Sequence, residues 1–231
     1  MIGRELAQVW LHQRAAAEWP TEGSTKESTK GPATLHLLVR RATPQTAPGQ
    51  QTHVVNFASL PRLPQAQEAY CCLGTTIAVA GSQAAFRAVD FDAVLAFAQA
   101  AQACGVQRFA VVSALGADAG SRSFYNRVKG EMEQALRALA FPTLVIARPS
   151  LLAGNRGALE QPTRWGERLA LAISAPLAPL IPLAWRPIQA HRVALAMCLA
   201  MANAKPGVVV LESADLQKAG KSGEAGAANK V

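Results

Sequence analysis

The sequence lacks any run of roughly 18 consecutive apolar residues, the length that a membrane-spanning helix needs. Its first residues also lack the charged-then-apolar layout of a secretory signal peptide. Cysteine is scarce, and the four cysteines have apolar neighbours and no spacing typical of metal ligands: Cys71, Cys72, Cys104 and Cys198. We therefore expect no metal site, no stable insertion into a membrane, reduced cysteines in a core and a cytoplasmic location.

Charge and aromatic side chains are also sparse, at 16% and 6% of the residues, whereas 50% of the 231 residues are hydrophobic. The net charge of +8 could indicate a nucleic-acid-binding protein. However, the lysines and arginines are scattered, with no basic run and no interleaved aromatic residues. The composition predicts one globular domain with a sizeable core and a phosphate-bearing small-molecule ligand, without a nucleic-acid partner. It gives no prediction of the oligomeric state.

Residues 108–130 combine a predicted strand, a loop of small residues and a predicted helix. The strand Phe109–Val112 leads into Ser113, and the helix carries Tyr125 and Lys129. Residues four apart share a helix face, so the phenol and the ammonium lie side by side. Because a nearby cation favours phenolate, we expect the pKa of Tyr125 to fall from its ordinary value of about 10. Tyr and Lys at this spacing are also common on solvated faces, so the preceding strand and serine are needed to indicate a proton-transfer site.

This arrangement resembles the Ser/Tyr/Lys catalytic set of the short-chain dehydrogenases/reductases. It is most similar to their atypical, epimerase-like branch, which includes the HIV Tat-interacting oxidoreductases. Three further segments match that branch: the letters CLGTT at Cys72–Thr76, the stretch GSQAAFRAVDFD at Gly81–Asp92, and Arg-Pro after the predicted strand Pro142–Ala147. The resemblance covers roughly residues 2–216 and is most specific over residues 72–154.

The resemblance implies that Tyr125 is the general acid/base, with Lys129 lowering its pKa and binding the nicotinamide ribose. Ser113 would hydrogen-bond the reacting oxygen. The implied cofactor-binding residues are Gly3, Arg40, Arg41, Gly74, Thr75, Thr76, Tyr125, Lys129, Arg148, Pro149 and Ser150. For Gly74, an ordinary turn after a strand is the alternative interpretation.

Two arginines follow the predicted strand Leu35–Val39, at a position that selects the cofactor in dinucleotide-binding folds. An acid there holds the ribose of NAD, whereas arginine accommodates the 2′-phosphate of NADP. Arg40 and Arg41 therefore favour NADP(H) over NAD(H). The alternative is that the pair merely ends a strand in solvent.

The start of the chain departs from the family. The resembled family has a first strand and a Gly-x-x-Gly-x-x-Gly turn before its first helix, but only Gly3 precedes the amphipathic helix carrying Leu6, Val9 and Trp10. Either the reading frame begins late at an internal methionine, which we favour, or the chain is shortened. We expect a Rossmann-like, doubly wound, mostly parallel sheet without its first strand. That strand is central, so its neighbours would keep unpaired backbone groups and the chain would be poorly stable.

We expect one domain in three parts: an NAD(P)-binding part over 1–154 with a loop insertion at 15–34, a substrate or interface region over 155–216, and a disordered tail over 217–231. Asp90 and Asp92 are expected to cap a helix start. The helix of Tyr125 and Lys129 should bury a stripe beside these two residues: Val128, Met132, Leu136 and Leu139.

The resemblance implies an NADP(H)-dependent oxidoreductase acting on a carbonyl/alcohol pair. A regulatory or assembly protein that binds NAD(P)H without turnover is the alternative from another class. A nucleotide-sugar epimerase would use the same tyrosine and lysine, but it usually needs a larger substrate region than the segment after Gly154 provides. The sequence does not identify the substrate.

Overall fold

Parallel strands form the centre of the molecule in the computed structural model, which describes residues 1–15, 34–42, 48–153 and 182–219. The strands are β1 Leu35–Val39, β2 Gln50–Val54, β3 Glu68–Cys71, β4 Arg108–Val112, β5 Thr143–Arg148, β6 Leu152–Ala153, β7 Ile188–Gln189 and β8 Gly207–Glu212. The helices are α1 Ile2–Ala15, α2 Ile77–Ala80, α3 Gln83–Arg87, the π-helical segment Ala88–Asp92, α4 Ala93–Ala103, α5 Phe124–Ala138, the 3₁₀ turn Leu183–Trp185, α6 Ala190–Asn203 and α7 at 213–219.

The strands pair in three groups, and every observed pairing is parallel. The largest sheet has the order β3-β4-β5-β8, while β1 pairs with β2 and β6 pairs with β7. Helices cover both faces of the large sheet: α4 and α5 lie on one side, α1 and α6 on the other. This layering confirms the predicted doubly wound α/β fold.

The sheet is interrupted between β1 and β3. Among the described residues, β3 ends the large sheet and β1 has a partner only in β2. A cavity of about 1040 Å³ is lined by all residues of both strands, by the inner side of α1 and by parts of the loop before β3. The doubly wound order places its first strand between these two, so the expected interruption of the sheet is confirmed in the described part of the chain.

Two apolar layers hold the helices to the large sheet. Successive side chains of β4 point into opposite layers: Phe109 packs with α4 and α5, and Ala110 packs with α1 and α6. Phe109 lies between Phe97, with ring centroids 5.8 Å apart, and Phe141, stacked at 4.9 Å. The expected burial of Leu6, Val9 and Trp10 is confirmed. All four cysteines are free, and Cys71 and Cys198 are buried.

The expected role of Asp90 and Asp92 as caps of a helix start was wrong. Asp90 and Asp92 do not start a helix, because α3 already precedes them and they lie in the π-helical segment. Gly105 follows the end of α4 and has a positive φ of 86°, a conformation that favours glycine after a helix.

The predicted loop 15–34, much of the predicted region 155–216 and most of the tail lie outside the described residues. The described part of that region supplies β8, which pairs with β5 along six residues. It also supplies α6, where His191 Nδ1 lies 3.4 Å from Glu5 Oε2 of α1. None of the helices in the described ranges is both long and apolar enough to cross a membrane.

Candidate functional site

The predicted catalytic residues lie at the carboxyl edge of the large sheet. Parallel strands end at the same edge, so the turns after β3, β4 and β5 come together there, and open α/β sheets bind ligands at that edge. Ser113 follows β4, and α5 carries Tyr125 and Lys129 against the same strands.

Lys129 is a buried cation, with 2% of its surface exposed. Its Nζ lies 2.8 Å from Asp90 Oδ1 and donates a longer hydrogen bond of 3.4 Å to the Val112 carbonyl. Lys129 was expected beside the buried stripe of α5, and that expectation was wrong, because Asp90 gives the ammonium a partner within the core. The predicted burial of Val128, Met132 and Leu136 is confirmed, whereas Leu139 follows the end of α5 and is only partly buried.

Tyr125 is half-buried, and its ring lies 5.2 Å from that of Phe86. Burial, and then the negative charge of Asp90, raise the pKa of Tyr125 to about 12. The sequence predicted the opposite direction, because it placed the positive charge of Lys129 beside the phenol with nothing to neutralise it. In the structure that charge is paired with Asp90.

The turn after β3 lies directly over this ion pair. The backbone N–H of Thr75 donates to Asp90 Oδ2 at 2.8 Å. A Cβ on Gly74 would lie 3.3 Å from Asp90 Oδ1 and 3.8 Å from Lys129 Nζ, so a side chain there would crowd the pair. Thr76 caps α2 by accepting from the N–H of Val79 at 3.2 Å.

Ser113 belongs to a second polar cluster. Its hydroxyl donates to Glu133 Oε1 at 2.6 Å, and Glu133 is 3% exposed. Arg148 donates two hydrogen bonds to the same carboxylate, from Nε to Oε1 at 2.9 Å and from Nη2 to Oε2 at 2.7 Å. Its Nη1 donates to Glu212 Oε1 at 2.9 Å. Hydrogen bonding of the Arg148 guanidinium to the Glu133 carboxylate is the main reason that the pKa of Arg148 is raised above its ordinary value. The proton of Ser113 is therefore engaged, and donating it to a substrate would require this bond to break.

The segment after β5 is held by protein partners. The carbonyl of Pro149 accepts from the N–H of Leu115 at 2.9 Å. The backbone N–H of Ser150 donates to Ser213 Oγ at 3.3 Å, and the hydroxyl of Ser150 donates to the Arg186 carbonyl. These contacts fix the carboxyl edge of the sheet.

Of the three remaining predicted cofactor residues, Gly3 lines the cavity, whereas Arg40 and Arg41 follow β1 and are not among the lining residues. Gly3 packs the start of α1 against the end of β3, since a Cβ on Gly3 would lie 3.4 Å from Cys72 Cβ. Arg40 and Arg41 are exposed at the carboxyl end of β1. They therefore belong to the strand pair on the far side of the interruption from Tyr125 and Lys129.

Sequence reasoning missed three residues at this edge: Asp90, Gly130 and Glu133. A sequence signal for Asp90 exists, because the apolar residues Phe86 and Val94 lie four positions before and after it. That spacing predicts that Asp90 lies on the buried face of a helix, where a carboxylate requires a partner. Gly130 packs against the loop after Ser113 so closely that a Cβ would lie 2.1 Å from a backbone nitrogen. No signal in the sequence indicates that contact.

Comparisons with known proteins give partial matches. No family model matches the chain. The chain is 42% identical over 87 residues to "Protein FMP52-1, mitochondrial" of Scheffersomyces stipitis, covering 38% of each chain. It is 33% identical over 145 residues to "Protein FMP52, mitochondrial" of Coccidioides immitis, covering 56% of this chain and 59% of the relative. It is 43% identical over 101 residues to HTATIP2 of Rattus norvegicus, covering 44% and 40%. The chain thus spans between 38% and 59% of the length of these relatives.

Solved structures share the fold at low identity. MoeE5 in complex with UDP-glucose and NAD aligns with a TM-score of 0.59 and 14% identity, covering 88% of this chain and 70% of that one. The ADP-L-glycero-D-manno-heptose-6-epimerase of Helicobacter pylori aligns with a TM-score of 0.61 and 14% identity, covering 92% and 73%. These likenesses show a Rossmann-type fold. The predicted cytoplasmic location is contradicted, because several relatives are named mitochondrial proteins.

Proposed function

We propose that this chain, a homologue of HTATIP2 and the FMP52 proteins in the atypical short-chain dehydrogenase/reductase group, binds NADP(H) and interconverts a carbonyl and an alcohol. The observation that carries the proposal is the cluster at the carboxyl edge of the sheet. There the phenol of Tyr125 shares a helix face with the buried cation Lys129, and Lys129 lies by the glycine turn after β3.

The residues at this edge fit a nicotinamide dinucleotide. Gly74 leaves room for the Asp90–Lys129 pair beneath the turn, which keeps the Lys129 ammonium at this edge of the sheet. At the other end, the first turn of α1 presents backbone N–H groups that favour phosphate. Arg40 and Arg41 would hold a 2′-phosphate from the end of β1. When bound, the nicotinamide supplies or accepts the hydride.

Proton transfer falls to Tyr125. With a pKa of about 12, its hydroxyl is protonated at neutral pH and would donate to the oxygen of a carbonyl as that carbon is reduced. The resulting phenolate would recover its proton from solvent. The reverse reaction needs the phenolate first, which the burial of Tyr125 and the charge of Asp90 oppose.

The catalytic assignment is tested with Tyr125→Phe. Oxidation of NADPH is followed against a panel of aldehydes, ketones and quinones, and NADPH binding is followed by fluorescence. The variant should lose turnover by a factor of about 10²–10⁴ and keep its affinity for NADPH, because positioned proton transfer supplies rate and not binding. Undiminished turnover would contradict the role of Tyr125.

The cofactor preference is tested by fluorescence titration with NADPH and with NADH. We expect tighter binding of NADPH, and a weaker preference in the double variant Arg40→Gln/Arg41→Gln, since the two guanidinium groups would pair with the extra phosphate. Arg62→Gln is the control, because Arg62 is another exposed arginine of the described residues. Equal affinities for the two dinucleotides in the unmutated chain would refute the NADP(H) preference.

A second candidate function is binding of NADPH without turnover, as in a regulatory or assembly protein. It is favoured by the engagement of two predicted catalytic groups, since Ser113 donates to Glu133 and Lys129 pairs with Asp90. Tight NADPH binding with no substrate-dependent oxidation across the panel would select this function.

A further inference from the structure

The cavity between β1 and β3 is bounded by a strand on each side. Every residue of both strands lines it, and among the described residues β1 pairs only with β2, and β3 only with β4. The backbone N–H and C=O groups of a strand point alternately to its two sides. The groups on the cavity side therefore have no strand partner in the described part of the chain, and backbone groups away from water require partners.

The hydrogen bonds between β1 and β2 identify the cavity-facing groups of β1. The N–H of Leu35 donates to the Gly49 carbonyl at 2.8 Å, at the start of the parallel pairing of the two strands. Leu35 and every second residue after it therefore face β2. The backbone groups of the residues between them, His36 and Leu38, face the cavity.

The same alternation applies to β3. The Gln67 carbonyl accepts from the N–H of Arg108 at 3.2 Å, at the start of the pairing with β4. Alternation then places the backbone groups of Glu68 and Tyr70 on the cavity side. The cavity thus has N–H donors and C=O acceptors on two opposite walls.

Apolar helix surfaces close the cavity on its other two sides. Leu6 and Trp10 of α1 lie in one layer, and Phe97 and Ala101 of α4 lie in the other. All four are buried residues. This is the environment of a parallel strand covered by helices on both faces, and such strands are continuous runs of apolar residues such as valine, isoleucine and leucine.

The charges along the cavity favour an uncharged occupant. Among the described lining residues, the acidic and basic side chains other than histidine are Glu68 and Arg4, and Arg4 is exposed. Glu68 already accepts the hydroxyl of Tyr70 at 3.1 Å and lies 3.8 Å from Arg108. A charged ligand would therefore lose its hydration without gaining a buried partner.

We propose that this cavity binds an uncharged, apolar peptide segment in extended conformation, which inserts between β1 and β3 and pairs with both in parallel. Since β1 has five residues and β3 has four, the segment has about five residues and a length of roughly 17 Å. An inserted strand satisfies the backbone groups of both walls at once, which a lipid chain or a small apolar molecule does not. Addition of a strand to open sheet edges is a general mode of peptide recognition, and this site is independent of the proposed catalytic function.

The test uses the unmutated chain and a fluorescent peptide with a core of five valine and leucine residues and two lysines at each end. The lysines keep the peptide soluble, and because the chain has a net charge of +8 they do not attract it. Binding is followed by fluorescence anisotropy and located by amide hydrogen exchange. We expect saturable binding, slower exchange at the cavity-facing amides of Leu38 and Tyr70, and a higher midpoint of thermal unfolding with the peptide present.

Two control peptides carry N-methyl groups, either at the odd or at the even residues of the core. Each control loses the hydrogen bonds along one of its two edges. Because insertion uses both edges, both controls should bind at least about tenfold more weakly than the unmodified peptide.

Three results would overturn the proposal. Equal binding of all three peptides would mean that the cavity takes any apolar molecule, and tolerance of one N-methylation pattern would mean addition to a single edge. Absence of saturable binding by the unmodified peptide would exclude the site altogether. NADPH binding and turnover are measured in separate experiments, so a failure here is distinguishable from a failure of the proposed function.

Discussion

The contact between α5 and the loop after Ser113 predicts that Gly130→Ala destabilises the protein. On helix propensity alone alanine should stabilise, by up to about 1 kcal/mol, because glycine is the poorer helix former. However, the new Cβ would lie 2.1 Å from the backbone nitrogen of Ala119 and 2.2 Å from the carbonyl carbon of Asp118. Both are backbone atoms, so the loop must move and lose the hydrogen bond from the Asp118 N–H to the Asn126 carbonyl.

Overpacking of this kind costs about 1–3 kcal/mol and occasionally more, and contacts this short place Gly130→Ala at the upper end. After the gain in propensity is subtracted, we expect a net loss of about 2 kcal/mol. The assay is urea unfolding followed by circular dichroism, with amide hydrogen exchange at Asp118 as a local measure. The matched control is Gly120→Ala in the same loop, where the nearest atoms are carboxylate oxygens of Asp118 at 3.6 and 3.8 Å. An unfolding midpoint for Gly130→Ala at or above that of the parent would refute this reasoning.

Three further predictions concern charge and the interrupted sheet. Glu133→Gln should destabilise the chain by the low end of about 3–5 kcal/mol in the same urea assay, because Arg148 keeps its second partner Glu212. The control Glu131→Gln breaks a partly exposed ion pair with Arg87 and should cost at most about 1 kcal/mol. The raised pKa of Tyr125 stabilises the fold fully below pH 10, and this contribution is lost as the pH rises from about 10 to about 12. Tyr125→Phe should therefore lose less stability over that interval, by up to about 2 kcal/mol, and identical pH profiles for the two proteins would contradict the assigned shift. Finally, because the sheet is open between β1 and β3, the chain should show a broad thermal unfolding transition with a low midpoint. A cooperative transition at ordinary mesophile temperatures would disprove the predicted instability.

Local patterns in the sequence were sufficient for much of the fold. The apolar run Leu35–Val39 became β1 residue for residue, because polar residues bound it on both sides. The pairing of Tyr125 and Lys129 on one helix face followed from a spacing of four residues. The interruption of the sheet followed from the resemblance, which identified what precedes the first helix in related proteins.

The electrostatics of the site could not be predicted from such patterns. Asp90, the partner of Lys129, is distant in sequence and lies in the π-helical segment Ala88–Asp92, outside α5. Without that contact, the sign of the pKa shift of Tyr125 comes out wrong. Likewise, Ser113 was assigned from its place after a strand, but its hydrogen-bond partner Glu133 comes from the neighbouring helix.

The interrupted sheet also bears on how copies of this chain meet one another. Two strands, β1 and β3, each present a row of backbone N–H and C=O groups with no strand partner in the described part of the chain. Such rows are templates for strands of other molecules, and natural proteins usually cover or charge them. The residues of β1 are all uncharged, and Leu37, Leu38 and Val39 are apolar. Self-association at high concentration should therefore begin at these two edges, and a lysine placed on β1 should delay it.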